Sequence, residues 1–250
     1  MSDPERNQMP QTVVVEEATL DDQPPALLVR PAAPGEGPVP AVLWLHWLGH
    51  NRSDRTQFLP EAHRLAQQGV VSLLPQGVFP WLEDPAGDGT DRDAVARQAR
   101  RTRAAYDHLA GLPGVDRIAV AAHDYGAMFG LTLRDVPVHA MVVAAPDATW
   151  DHWFRKYWHG DADLGAAYAE QFAEFDPLAG AALRQDVLLL QWAEKDEYVE
   201  PSVRDLYAAA APRAASTVHE RYDHQLGDRV IAERLAFLER ALLGPGTVTA

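Results

Sequence analysis

Residues Ile118–Gly130 constrain this 250-residue chain more than any other stretch. They read Ile-Ala-Val-Ala-Ala-His-Asp-Tyr-Gly-Ala-Met-Phe-Gly. An apolar run stops abruptly, and a helix-like run begins two residues later. Between them lies Ala122-x-Asp124-x-Gly126, with small residues two places either side of Asp124. That spacing suits a sharp strand-to-helix turn that lifts one side chain into a cleft, and small flanks are needed because the backbone crowds there. Serine is the usual nucleophile in such a turn. Here the residue is aspartate. An ordinary turn aspartate is the competing reading, because Asp tolerates tight turns.

The rest of the chain repeats strand then helix. Thr12–Glu16 and Ala26–Arg30 read as a short antiparallel pair at a sheet edge. Val39–Leu45, Val70–Leu74, Ile118–Ala122, Ala140–Ala145 and Val187–Leu190 are short, largely apolar runs that fit strands buried on both faces, and Ser216–Arg221 reads as the last strand. Helices are expected from Ser53 or Asp54 to Gln68, from Thr90 to Ala110, over Ala127–Leu133, from Pro201 to Ala210 and over Asp228–Leu242. Thr90 with Asp93 resembles a capping box. Gln76–Gly89, with Phe79 and Trp81, reads as a long loop. Arg97, Arg100, Arg101 and Arg103 read as a solvated helix face. This alternation predicts an α/β fold: a mostly parallel sheet with helices on both faces. Residues 1–250 are expected to form one domain, with tails at 1–11 and 244–250. A helical insertion, a candidate lid, is expected at about 146–178, where Trp150, Trp153, Tyr157 and Trp158 recur at near-helical spacing.

Composition narrows the functional classes. Apolar residues make up 47% and charged residues 23% of the chain, as in ordinary globular proteins. There is no cysteine, which excludes a disulfide or a thiolate nucleophile. A formal charge of −14 argues against nucleic acid or an anionic membrane as partner. No run reaches the ~20 apolar residues of a membrane span, and the N-terminus has no apolar signal core. A cytoplasmic protein with a small-molecule substrate, monomeric or homodimeric, is the expectation. No phosphate loop or dinucleotide fingerprint is present, and no spacing marks a metal site, so no cofactor is expected.

In open α/β sheets, ligands bind beyond the carboxyl ends of the strands. Four such ends carry polar residues: His46, Asp124, Asp196 and His224. The last three follow the order nucleophile, acid, histidine used by α/β-hydrolases. Through Leu45-His46-Trp47-Leu48-Gly49, Ala121–Ala127, Leu190–Asp196 and Tyr222-Asp223-His224, the chain resembles the α/β-hydrolase superfamily along most of its length. Within it, the dienelactone-hydrolase-like branch is the nearest likeness. The elbow resembles that of haloalkane dehalogenases and epoxide hydrolases, where His-Asp-Trp-Gly is usual and where this chain has Tyr125 in place of tryptophan. The resemblance implies Asp124 at the nucleophile position, Asp196 as the acid and His224 as the base. It implies that the backbone N–H groups of Trp47 and Tyr125 form the oxyanion hole. Trp47 stands where the family usually has glycine, and its bulk is expected to narrow the pocket. Glu194 and Glu197 compete with Asp196 for the acid role, and Asp196 could instead cap the following helix.

A carboxylate is charged near neutral pH and can attack carbon directly, forming an ester with the enzyme. His224, oriented by Asp196, would then activate water to release it. That scheme suits alkyl halides and epoxides and is the leading expectation. Two alternatives stay open: an ester or lactone hydrolase in which Asp124 in the serine position acts on water, and a binding protein that has kept the fold and lost turnover. His46, Trp150, Trp153 and Tyr157 are the tentative pocket residues. Indole N–H groups there could hold a halide, and Tyr157 or Tyr168 could protonate an epoxide. The competing reading is that the aromatic stripe packs the insertion onto the sheet. His46 is expected to hydrogen-bond behind the oxyanion loop and His123 to pack behind the elbow.

Overall fold

The computed structural model describes residues 12–21, 23–33, 37–47, 55–77, 85–160 and 162–244. Eight strands form one sheet: β1 (Val13–Ala18), β2 (Ala26–Pro31), β3 (Val39–Leu45), β4 (Val71–Leu74), β5 (Val115–His123), β6 (Ala140–Ala144), β7 (Leu188–Ala193) and β8 (Ala215–His219). Their spatial order is β1-β2-β4-β3-β5-β6-β7-β8. β1 and β2 pair antiparallel, as does β2 with β4, while every pairing from β4 to β8 is parallel. The apolar runs become the buried middle: Val42, Leu43, Val120, Val142 and Val143 have no exposed surface. Each such side chain contributes roughly 1.5–3 kcal/mol by leaving water.

Helices cover both faces, as the alternation predicts. On one face, α1 (Leu59–Ala66) and α8 (Asp228–Leu243) pack Ala62, Leu65, Leu235, Leu238 and Leu242 against Val42, Trp44 and Val142. The other face is covered by α2 (Gly89–Ala110), α6 (Pro177–Arg184) and α7 (Pro201–Ala210), through Ala105, Tyr106, Leu109, Ala181, Val203 and Tyr207. Between β5 and β7 lie the short α3 (Tyr125–Gly130), α4 (Trp150–Trp158) and α5 (Ala166–Glu170), and a 3₁₀ turn at Ala173–Phe175. Their aromatic rings form a cluster of their own, with Tyr125, Phe129, Trp150, Trp153, Phe154, Tyr168 and Phe172 buried. Of the stripe in residues 146–178, Trp150 and Trp153 are core, while Tyr157 and Trp158 pack against that core half-buried.

Several boundaries differ from the sequence expectation for local reasons. α2 is capped by Asp88, whose Oδ1 accepts from the Thr90 N–H and hydroxyl at 2.8 and 2.7 Å. Thr90 is not the cap. α3 begins at Tyr125, directly after the turn. α6 was not foreseen; Asp176 caps it through the Leu178 N–H at 2.9 Å, and Pro177 fills its first position, where a missing N–H costs nothing. The expected helix start at Ser53 or Asp54, the rings of Phe79 and Trp81, and the tails at 1–11 and 245–250 lie outside the described residues. Among the described residues, no helix is long and apolar enough to cross a membrane.

Candidate active site

The elbow is built by close approach. Asp124 follows β5 with φ 52° and ψ −119°, and its N–H donates to Ala144 O at 2.8 Å. Positive φ in a non-glycine residue costs on the order of 1–3 kcal/mol and persists only where surroundings enforce it. Gly126 shows what enforces it: a Cβ there would stand 2.4 Å from Leu45 O and 2.5 Å from His46 O. The turn is pressed onto the end of β3, so no side chain fits at that point. Among the described residues, three other non-glycine residues have positive φ: Ala145 after β6, and Arg221 and Leu226 on either side of His224. All four lie at carboxyl ends of strands or in the histidine loop.

That geometry brings the three expected residues together. His224 Nδ1 lies 2.9 and 3.0 Å from the two carboxylate oxygens of Asp196. His224 Nε2 lies 3.8 Å from Asp124 Oδ2, an ion-pair separation rather than a hydrogen bond. The side chains are 2%, 4% and 11% exposed for His224, Asp196 and Asp124, so water screens these charges little. Asp196 Oδ1 also accepts the Tyr198 and Val199 N–H groups at 2.9 and 2.8 Å. Burial pushes the Asp196 carboxyl upward, but His224 and those two amides hold it below the ordinary value. Burial likewise opposes a charged His224 ring, yet Asp124 and Asp196 together push its pKa up to about 10. The two carboxylates thus favour the charged form of the ring lying between them. Glu197 and Glu194 bond the loop backbone, accepting the N–H of His224 at 3.3 Å and of Arg221 at 2.9 Å, so neither competes for the ring.

The other expected residues divide. Trp47 lies beside the histidines: its ring is stacked on His123 at 5.5 Å and tilted against His224 at 5.6 Å. Its N–H, expected to serve an oxyanion, donates to Gln57 Oε1 at 2.7 Å. Tyr125 opens α3, and its ring packs on Phe129, Trp150 and Trp153. His46 ties the loop together, donating from Nδ1 to Trp47 O at 2.8 Å and accepting the Gly77 N–H on Nε2 at 2.8 Å. Both ring nitrogens are thus engaged in fastening the loop. The Trp150 indole N–H donates to Phe175 O at 3.0 Å and is not offered to a halide. Trp153 is buried in the same cluster. The Tyr168 hydroxyl donates to Asp91 at 2.7 Å, far from an epoxide acid's task. Tyr157 is different. Burial first, then the Asp147, Asp124 and Asp196 charges, hold its hydroxyl proton firmly, and that hydroxyl donates to Tyr198 O at 3.3 Å.

Two residues complete the arrangement. Gln57, which sequence reasoning missed, bridges Trp47 to His123, with its Nε2 2.8 Å from His123 Nδ1. His123 Nε2 in turn lies 2.9 Å from His224 O. Burial, then the His224 and Arg234 charges, keep His123 uncharged well below the ordinary range. A small cavity beside the elbow is lined by Gln23, Leu45, His46, Gly77, Tyr125 and Phe129 among others, but not by Asp124 or His224. Among the described residues, no group of His, Asp and Glu is arranged to hold a metal ion.

Known structures share this architecture. A putative dienelactone hydrolase from Klebsiella pneumoniae subsp. pneumoniae MGH 78578 superposes with a TM-score of 0.64 at 15% identity, over 93% of this chain and 99% of that one. The fold is the α/β-hydrolase fold. A thermophilic esterase from the Planctomycetes species Thermogutta terrifontis, with propionate bound, matches this hydrolase-fold chain at a TM-score of 0.63 and 16% identity, over 98% of both chains. An S-formylglutathione hydrolase from Staphylococcus aureus matches at 0.60 and 12%, over 94% of this chain and 97% of that one. No family model matches the sequence, and no curated protein matches it.

Proposed function

We propose that the chain hydrolyses carboxylic esters or lactones, with Asp124 as base and His224 as acid. One observation carries this reading: the His224 ring lies buried between the Asp196 and Asp124 carboxylates, which favour its charged form. A histidine that rests protonated cannot begin as a base, but it can donate. A carboxylate in the serine position would pass through a reactive anhydride if it attacked an acyl carbon, whereas as a base on water it avoids one. In the proposed step, Asp124 takes a proton from water and the hydroxide oxygen bonds to the acyl carbon. The carbonyl pair moves onto oxygen, facing the Tyr125 N–H. On collapse, the bond to the leaving oxygen breaks and His224 Nε2 supplies its proton. The proton on Asp124 then passes to His224, restoring the pair. The esterase and dienelactone hydrolase neighbours add support by analogy of fold.

A second reading is the aspartyl-enzyme ester on an alkyl halide or epoxide. One observation favours it: the Trp47 N–H is already engaged by Gln57. Single-turnover hydrolysis in ¹⁸O-water separates the two. Base catalysis puts ¹⁸O directly into the carboxylic product and none into Asp124. If instead the label appears in Asp124 by peptide mass spectrometry and the first-turnover product is unlabelled, the ester reading is wrong and the alkyl-enzyme reading stands.

A further inference from the structure

Three hydrogen bonds run in series beneath the site. Their direction is forced by the backbone groups at each end. The Trp47 N–H can only donate, so the group facing it at 2.7 Å is the Gln57 amide oxygen. The Gln57 NH₂ therefore faces His123, and Nδ1 of that ring accepts at 2.8 Å. His123 then carries its proton on Nε2 and donates to His224 O at 2.9 Å. An amide side chain is the group that satisfies both ends, because it offers an acceptor and a donor on one short fork.

The position of Gln57 Oε1 matters for chemistry. An acyl oxyanion needs preorganised N–H donors where its charge develops. One of the two donors expected here already holds an uncharged oxygen of the protein's own.

We infer that Gln57 is a specificity-determining residue that withholds the Trp47 N–H from acyl substrates until they displace its side chain. The inference rests on the proposed ester or lactone hydrolysis at Asp124 and His224. A substrate carbonyl must expel Gln57 Oε1 and break the Gln57–His123 bond to gain the second donor. Substrates that cannot do so are processed with one donor. His123, neutral and fully enclosed, is the partner left behind, and its bond to His224 O keeps the acid in place while Gln57 moves.

The test compares wild type with Gln57→Leu and Gln57→Ala, the first keeping most of the side chain's volume. Two quantities are read: kcat/KM on a panel of alkyl and aryl esters and lactones, and the Trp47 amide proton shift in protein labelled with ¹⁵N-tryptophan. Removing one competing hydrogen bond is expected to raise kcat/KM on the order of tenfold. The Trp47 amide proton should move upfield as its short bond is lost. A fall or no change in kcat/KM in both variants, with the Trp47 shift moved, overturns the inference and makes Gln57 a support for the loop. An unmoved Trp47 shift overturns it as well, because the bond it requires is then absent. Inactivity of wild type and both variants across the panel overturns the ester reading itself, and the inference with it. Activity in wild type without gain in the variants removes the inference alone.

Discussion

Replacing Asp124 by asparagine tests the central electrostatic claim. The exchange keeps the side chain's shape and removes one of the two negative charges facing His224. In the native site the ring's pKa stands at about 10 against an ordinary 6.5. That gap corresponds to roughly 5 kcal/mol of preference for the charged ring, shared between two carboxylates and opposed by burial. Loss of one opposite charge at 3.8 Å should lower the His224 pKa by about 1–3. Titration of the histidine Cε1–H signals by NMR, with His224→Gln to assign the peak, reads it directly. The sign carries over to stability. A pKa raised in the folded state gives stability that is fully present below the unfolded value of about 6.5 and is lost as pH rises through about 10. Urea unfolding of the wild type should therefore weaken from about pH 6.5 toward pH 10, and in Asp124→Asn the decline should start at the same pH but level off earlier. Turnover by an acid that must start protonated should likewise fall as pH climbs toward 10, where a serine-type site would gain activity as its histidine deprotonates. If His224 in Asp124→Asn still titrates near 10, Asp124 is not its charge partner and the acid–base pair does not exist.

Asp124→Ser removes the same charge and restores a hydroxyl above the elbow. The ring should then deprotonate more readily, and an activated aryl ester should give a burst with an acyl adduct on position 124 by intact mass. A folded variant without adduct would refute the placement of Tyr125 as an oxyanion donor. Gly126→Ala puts a Cβ where two backbone oxygens already stand, and urea unfolding should show a loss at the top of the overpacking range, about 3 kcal/mol. Unchanged stability would mean that the elbow does not press on β3.

The sheet was readable because parallel strands buried on both faces leave continuous apolar runs. Val39–Leu45 matches β3 residue for residue. The elbow was readable because its flanks are small, and at Gly126 the structure makes the steric reason explicit. Asp124, Asp196 and His224 were legible as strand-end residues in a fixed order, and the fold does bring them into contact. Glu194 and Glu197 could not be set aside from sequence, since which carboxylate meets the ring is decided by the turn after β7. The cap of α2 was misassigned because Asp88 and Thr90 are both good capping residues two positions apart. Gln57 left no signal: a glutamine in an expected helix is unremarkable until Trp47 and His123 are placed on either side of it. The aromatic residues from Trp150 to Trp158 show the limit of spacing, which marks a helical face without saying whether it faces substrate or core.

β8 lies at the open edge of the sheet, joined on one side only, with Ala215, Ser216 and Val218 exposed. Edge strands of this kind fray first. The loop that follows carries His224, yet its anchors are elsewhere: its carbonyl is held from the centre of the sheet by His123, and Tyr222 O receives the Lys195 N–H from the turn after β7. His224 is thus moored across its own edge strand. Hydrogen exchange in β8 can run fast while the ring stays put, and the reaction should persist in denaturant that has already unzipped the last strand.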